Sequence, residues 1–360
     1  MKHVRRAFLA SLVLLVAACS LPEGSQIYDC VDGESMRVVC GMQSPEDIAV
    51  IPGGDYLLLS ELGGMGDRAG RILLFNTNDE SWQPIYSPAT QMAPAQLQGD
   101  AACDTPPTDE MSPHGTHLAT LVDGSLRYLL VNHGDREAVE LFSVETSNNG
   151  LPHLQWQGCV FPAANTLMND VVGMANGDVI YTRMFKPDDF ASELRAMLFK
   201  SQTGDVWRWN KETGLRMLPG TEGSLTNGIE ISSDQRYAFI NQYMNQEVHK
   251  YDLEKEQLVG VAAIPNADNS AWAPNGDLWL ATHSADTATL LTCFQEPLVT
   301  CGLEFEIVAL NPDTMATRSV YKHQGPPMGA ATVARYNRDK VYLGSFLGDR
   351  LAIVPLTEFE

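Results

Sequence analysis

An all-β fold, a six-bladed β-propeller, is what the sequence predicts. Three observations carry the fold class. One theme recurs six times: a small or polar residue, an alternating strand, a Gly, Asp or Asn turn, and a second strand rich in Tyr, Leu, Ile or Trp. The copies lie roughly 40 to 70 residues apart, the range of propeller blades with insertions. Further strand-like runs fill the intervals, at 70–75, 206–209, 248–251 and 305–309. They bring the count to about four strands per unit, with almost no helical period anywhere.

The copies follow in order. Glu46-Asp47-Ile48-Ala49-Val50-Ile51 leads into GGDYLLLSE, and His114-Gly115-Thr116-His117-Leu118 into DGSLRYLLVNH. Asn169-Asp170-Val171-Val172-Gly173 leads into NGDVIYTR, and Asn227-Gly228-Ile229-Glu230-Ile231 into SDQRYAFINQ. Asn269-Ser270-Ala271-Trp272 leads into PNGDLWLATH, and Gly329-Ala330-Ala331-Thr332-Val333 into NRDKVYLGS. Each reads as a hairpin, because alternating apolar runs flank a turn residue suited to φ > 0. Two segments break the rhythm. Residues 87–112 are rich in Pro, Ala and Gln and read as a surface insertion. Residues 188–199 read as a helix capped by Asp188, with Phe190, Leu194, Met197 and Leu198 on one face.

Composition narrows the class. The 360 residues carry a formal net charge of −21, a surface unsuited to nucleic acid or anionic lipid and suited to cations. Lys2, Arg5 and Arg6 precede the apolar run Ala7–Val16 and the sequence Leu15-Val16-Ala17-Ala18-Cys19. That is the pattern of a bacterial lipoprotein signal over residues 1–18. Cys19 would then be the lipidated N-terminus, residues 19–29 a tether and 30–360 the propeller, at the outer membrane of the cell envelope. No other stretch is long and apolar enough to cross a bilayer as a helix. Six cysteines remain, an even number that favours disulfides in an exported chain. Short loops favour Cys30–Cys40 and Cys293–Cys301, leaving Cys103–Cys159, although six cysteines allow fifteen pairings.

The repeat carries a geometric consequence. The innermost strand of each blade lines the channel, so equivalent positions form rings about the axis. Five copies open that strand on a polar side chain: Glu46, His114, Asn169, Asn227 and Asn269, with Asp268 adjacent; the sixth offers only Gly329 and Ala330. One carboxylate and three carboxamides make the hard oxygen donor set that calcium prefers to zinc or copper. His114 and His133 stand at the same end of one hairpin, where they form a proton-handling pair. No G-x-S-x-G, H-E-x-x-H, Walker or G-x-G-x-x-G motif is present, so a serine hydrolase, a zincin and a nucleotide enzyme lack their parts.

The stretches SPEDIAV (44–50), SPHG (112–115), YLLVNH (128–133), VELF (139–142), MNDVV (168–172), TNGIEIS (226–232), DNSAW (268–272) and ATH (281–283) resemble the paraoxonase/arylesterase family. The last three also fit the related gluconolactonase-type and strictosidine-synthase-like propellers. The resemblance implies a calcium-dependent lactonase or arylesterase with two calcium ions. It implies Glu46, Asn169, Asn227, Asp268 and Asn269 as ligands of a catalytic calcium, and Asp47, Asp170 and the Thr116 carbonyl as ligands of a structural one. It further implies His114 and His133 as the catalytic dyad and His283 as a residue of the pocket wall. Leu225 stands at a wall position where the family has an aromatic, and Gly63-Gly64-Met65-Gly66 where it has a pocket tyrosine. The expected substrate is a small lactone or ester. The competing expectation is a non-catalytic, calcium-stabilised platform for a partner in the envelope, since a fold alone does not give function.

Overall fold

A computed structural model describes residues 26–359, except 67, 92, 93, 95, 148, 149, 188–194, 197, 198 and 285–291. Six four-stranded antiparallel sheets form the blades of a propeller. Blade 1 comprises Pro45–Val50, Tyr56–Glu61, Arg71–Asn76 and Trp82–Pro84; blade 2 comprises Pro113–Thr120, Leu126–Asn132, Ala138–Thr146 and Pro152–Val160. Blade 3 is built from Leu167–Gly173, Val179–Phe185, Asp205–Asn210 and Gly214–Met217, and blade 4 from Thr226–Ile231, Tyr237–Gln242, Glu247–Asp252 and Gln257–Ala263. Blade 5 takes Ala267–Trp272, Leu278–His283, Phe305–Leu310 and Thr317–His323.

Blade 6 closes the ring. Its three inner strands, Ala331–Asn337, Lys340–Ser345 and Arg350–Pro355, come from the end of the chain, and its outermost strand, Arg37–Cys40, comes from the beginning. Arg37 pairs with Ile353 and Cys40 with Arg350, so the last blade cannot form until both ends meet. Arg350 is almost fully buried there, donating to the carbonyls of Ile27, Asp29 and Pro327. The Cys30–Cys40 disulfide fastens the closing strand.

The core is six slabs rather than one ball. Each lies between adjacent blades, as where Ile48 and Leu57 of blade 1 meet Tyr342 and Ile353 of blade 6. Across the next boundary Leu58 and Leu74 meet Tyr128 and Phe142. Alternation makes this possible, because strand residues of opposite parity face opposite neighbours, so a blade is apolar on both faces. No blade can bury both faces alone, and radial closure supplies the missing partners.

The described part of 87–112 runs beside the outermost strand of blade 2. Cys103 is joined to Cys159, and the Asp100 carboxylate accepts from the Phe161 amide and the Trp209 indole. Cys293 and Cys301 form the third disulfide, so the pairing favoured by short loops is the one observed. The expected helix at 188–199 lies largely outside the described residues, as does the expected signal peptide and lipidation site. Among the described residues no helix is long and apolar enough to cross a membrane.

Candidate active site

Each inner strand carries a register irregularity near its start: between Pro45 and Asp47, Pro113 and Thr116, Met168 and Val171, Thr226 and Ile229, Ala267 and Ser270, and Ala331 and Val333. A bulge takes residues out of the ladder and re-aims their side chains. Among the residues taken out are Glu46, His114, Asn169, Asp170, Asn227, Asp268 and Asn269, with Asp47 and Thr116 at the edges of their bulges. Five strands are also entered through a residue in the left-handed region, Ser44, Asn165, Leu225, Asn266 and Ala330. Asparagine tolerates that conformation, but Ser44, Leu225 and Ala330 hold it only where the surroundings impose it. Two ring positions demand glycine. A Cβ on Gly115 would lie 2.4 Å from Asp170 Oδ1, and one on Gly228 would lie 2.3 Å from the Asp268 carbonyl.

The sixth blade departs from expectation. Its inner strand starts at Ala331, so the ring position falls to Thr332 rather than to Gly329 or Ala330. The Thr332 hydroxyl donates to the Glu46 carbonyl at 2.6 Å and closes the ring.

The remaining ring residues converge. Asn269 Nδ2 donates to Glu46 Oε1 at 2.6 Å, and His114 Nε2 lies 3.9 Å from the same oxygen. Three of their buried oxygens, Glu46 Oε2, Asn227 Oδ1 and Asn269 Oδ1, accept no hydrogen bond among the described residues. Orphaned acceptors at this depth are costly unless a ligand takes their lone pairs. Below them, Asp47 Oδ2 accepts from the Thr116 amide and hydroxyl, and Asp170 Oδ2 from the Ile229 amide, so each aspartate bridges to the next blade.

Four buried carboxylates crowd this column. Burial, then repulsion from Asp268, Asp47 and Asp170, pushes Glu46 well above the ordinary range. Asp170 is raised well above its usual value by burial and by Asp47. Asp268 is pushed up to about 7 by burial and by Asp47, against a hydrogen bond with Asn227. Asp47 is raised by burial against the charge of Arg335. A dense set of buried, mutually repelling oxygen donors fits a divalent cation with oxygen ligands.

The histidines form a directed chain. His133 Nδ1 is 2.8 Å from Glu137 Oε2, whose other oxygen accepts from the Met168 amide. A carboxylate only accepts, so His133 carries its proton on Nδ1 and presents a bare Nε2. That atom lies 2.9 Å from His114 Nδ1, which must then be the donor. The remaining lone pair of the dyad is therefore His114 Nε2, on the side of Glu46. Burial, reinforced by His133, holds His114 well below the ordinary imidazole pKa, so it is neutral near pH 7.

His283 has no such freedom. Nε2 donates to the Ala331 carbonyl at 2.9 Å and Nδ1 accepts from Tyr243 at 3.1 Å, which ties blades 4, 5 and 6 together. Burial lowers its pKa to about 4. Phe346 packs against its ring, and Leu225 is buried at the entrance to blade 4. Glu137, Tyr243 and Thr332 were not singled out in the sequence. Their one signal is position, on a turn after His133, after a blade-4 strand and at the sixth ring site.

Comparison with known proteins agrees with the propeller fold. The chain is similar to human serum paraoxonase/arylesterase 1, at 23% identity over 88% of this chain and 87% of the relative. It is also similar to human serum paraoxonase/arylesterase 2, at 23% identity over 92% of each chain. Among solved structures, a gluconolactonase from Xanthomonas campestris superposes with a TM-score of 0.51 at 15% identity, covering 94% of this chain and 95% of that one. A luciferin-regenerating enzyme superposes with a TM-score of 0.53 at 11% identity, over 89% and 95%. The arylesterase family model matches residues 37–352, from the closing strand into the last strand of blade 6, and the chain belongs to that family.

Proposed function

We propose that this protein is a calcium-dependent hydrolase of small lactones and aryl esters, with Glu46, Asn169, Asn227, Asp268 and Asn269 around a catalytic ion. Asp47, Asp170 and the Thr116 carbonyl would hold a second, structural ion. The observation that carries the reading is the set of orphaned oxygens on Glu46, Asn227 and Asn269 beside the free lone pair of His114. Membership of the arylesterase family supports hydrolysis.

A cation held by these residues would supply positive charge beside an ester carbonyl and the negative charge that develops on it. His114 Nε2 takes the proton of the attacking water. Buried His114 is a poor resting place for charge, so its Nδ1 proton passes to His133 Nε2. The imidazolium then sits against Glu137, 2.8 Å away. When the leaving alkoxide departs, the same chain run in reverse returns a proton to it. His283, with both nitrogens engaged, shapes the wall, its Nε2 lying 3.9 Å from Asp268 Oδ2.

The test is an assay of the purified chain against a panel of lactones and phenyl esters, with and without chelator. Chelator-sensitive turnover of at least one class is expected; its absence across the panel would leave a binding platform. Asn227→Ala should weaken calcium affinity about 10- to 100-fold, because it removes an oxygen already positioned for a cation. Calorimetric titration that gives an unchanged affinity would remove Asn227 from the ligand set.

The same proposal places the enzyme in the bacterial envelope, held by lipid on Cys19. Cys19→Ser should move the protein from the membrane fraction to the soluble fraction, and unchanged fractionation would refute the anchor.

A further inference from the structure

The inner strands run from the ring of oxygens to the opposite mouth of the channel, where their far ends enclose a cavity of about 440 Å³. Ala49, Thr116, His117, Glu230, Trp272 and Arg335 are among its walls. This volume is in the lower part of the range for small-molecule sites. Glu230 is 5% exposed, and Arg335 is the one lysine or arginine of the lining.

These two charges do not satisfy each other. Arg335 Nη1 stands 3.9 Å from Glu230 Oε2, beyond hydrogen-bond reach, and Arg335 Nε is buried without a partner among the described residues. Glu230 Oε1 accepts from the Ile231 amide, but Oε2 accepts nothing among the described residues. His117 adds a donor. Its Nδ1 accepts from the Gly173 amide at 3.3 Å, so the proton is on Nε2, 3.7 Å from Glu230 Oε1. The Trp272 indole is held as a rigid wall by its hydrogen bond to the Ile231 carbonyl and by edge contact with Phe239.

A charge pair this enclosed, yet without a hydrogen bond between its members, forgoes the geometry that normally offsets desolvation. The gap suits a third party that brings an anionic acceptor to the guanidinium fork and a donor to the open carboxylate oxygen. We infer that the opposite mouth of the channel is a second binding site, for a small hydroxy acid whose carboxylate pairs with Arg335 and whose hydroxyl donates to Glu230 while its carbon chain lies against Trp272. Binding there does not depend on whether the first mouth hydrolyses lactones, although a lactone hydrolysed at that mouth would yield a ligand of this class.

The test uses the calcium-loaded full chain and calorimetry with 4-hydroxybutanoate and butanoate. The hydroxy acid should bind saturably and butanoate about tenfold more weakly, the loss of one hydrogen bond to a charged group. Arg335→Met should abolish binding. Should that variant not fold, Arg335→Lys should still weaken binding, because a point charge replaces the fork. Glu230→Gln should reduce the preference for the hydroxy acid, because a neutral amide oxygen is a weaker acceptor than a carboxylate. Trp272→Phe should remove the accompanying fluorescence change while heat is retained. His114→Gln should bind the hydroxy acid as the parent does, which separates this site from the catalytic mouth. No saturable binding, binding kept in both Arg335 variants, or binding lost in His114→Gln would overturn the inference.

Discussion

Chelation of the purified protein should abolish ester and lactone turnover, lower the melting temperature and make stability depend on pH between 6.5 and 8. Glu46, Asp47, Asp170 and Asp268 are all raised above their ordinary values by burial and, except for Asp47, by one another. A carboxyl whose folded pKa is raised adds stability that is fully present below the unfolded pKa and lost as pH rises through the folded one. For Asp268 that window runs from 3.8 to about 7 and corresponds to about 4 kcal/mol. The histidines work in the other direction: His283, lowered from 6.5 to about 4, loses its contribution as pH falls between those values. Above pH 6.5 that opposition is gone. Chelated protein should therefore lose about 1 kcal/mol from Asp268 between pH 6.5 and 8, with Glu46 and Asp170 acting in the same direction, read by urea denaturation at each pH. Calcium offers the carboxylates a partner other than a proton, so loaded protein should be more stable throughout and nearly flat across the window. A chelated form with flat stability would show that these carboxylates do not share a strained, cation-seeking site.

Much of the architecture was legible because its signals are local. A polar strand start, a hairpin turn and a second strand sit within about twenty residues, so each blade announces itself. The ring of Glu46, His114, Asn169, Asn227 and Asn269 followed from register alone, since equivalent positions of a closed repeat face one axis. What stayed hidden is non-local or chemically bland. Thr332 looks like any strand threonine, and only the bulge after Ala331 gives it the ring position. Glu137 reads as a solvated charge on a turn until its two oxygens are seen bonded to His133 and the Met168 amide. Tyr243 reaches His283 from the neighbouring blade, forty residues earlier in the chain. The closure of blade 6 by Arg37–Cys40 joins segments about 310 residues apart, a pairing that no local pattern encodes.

His114→Gln should lower kcat about 10²- to 10⁴-fold while leaving calcium affinity within about twofold of the parent. The split is the point. His114 reaches only to 3.9 Å of Glu46 and offers the single free lone pair of the dyad, so its loss removes the base and not the cage. His133→Gln should cost less, because a bare His114 can still take the proton but has nowhere to pass it. Glu137 decides between a relay and simple packing. Glu137→Gln is nearly isosteric, yet its amide can donate to His133 Nδ1. That reverses the proton order along the chain, and His114 Nε2 becomes protonated and unable to act as a base. Glu137→Asp keeps an acceptor and should recover much of the activity that Glu137→Gln loses. A structural role would rank these two variants by size and damage both. If Glu137→Gln keeps parental turnover, or Glu137→Asp is the worse of the pair with both folded, the directed chain from Glu137 through His133 to His114 is not how this site moves its proton.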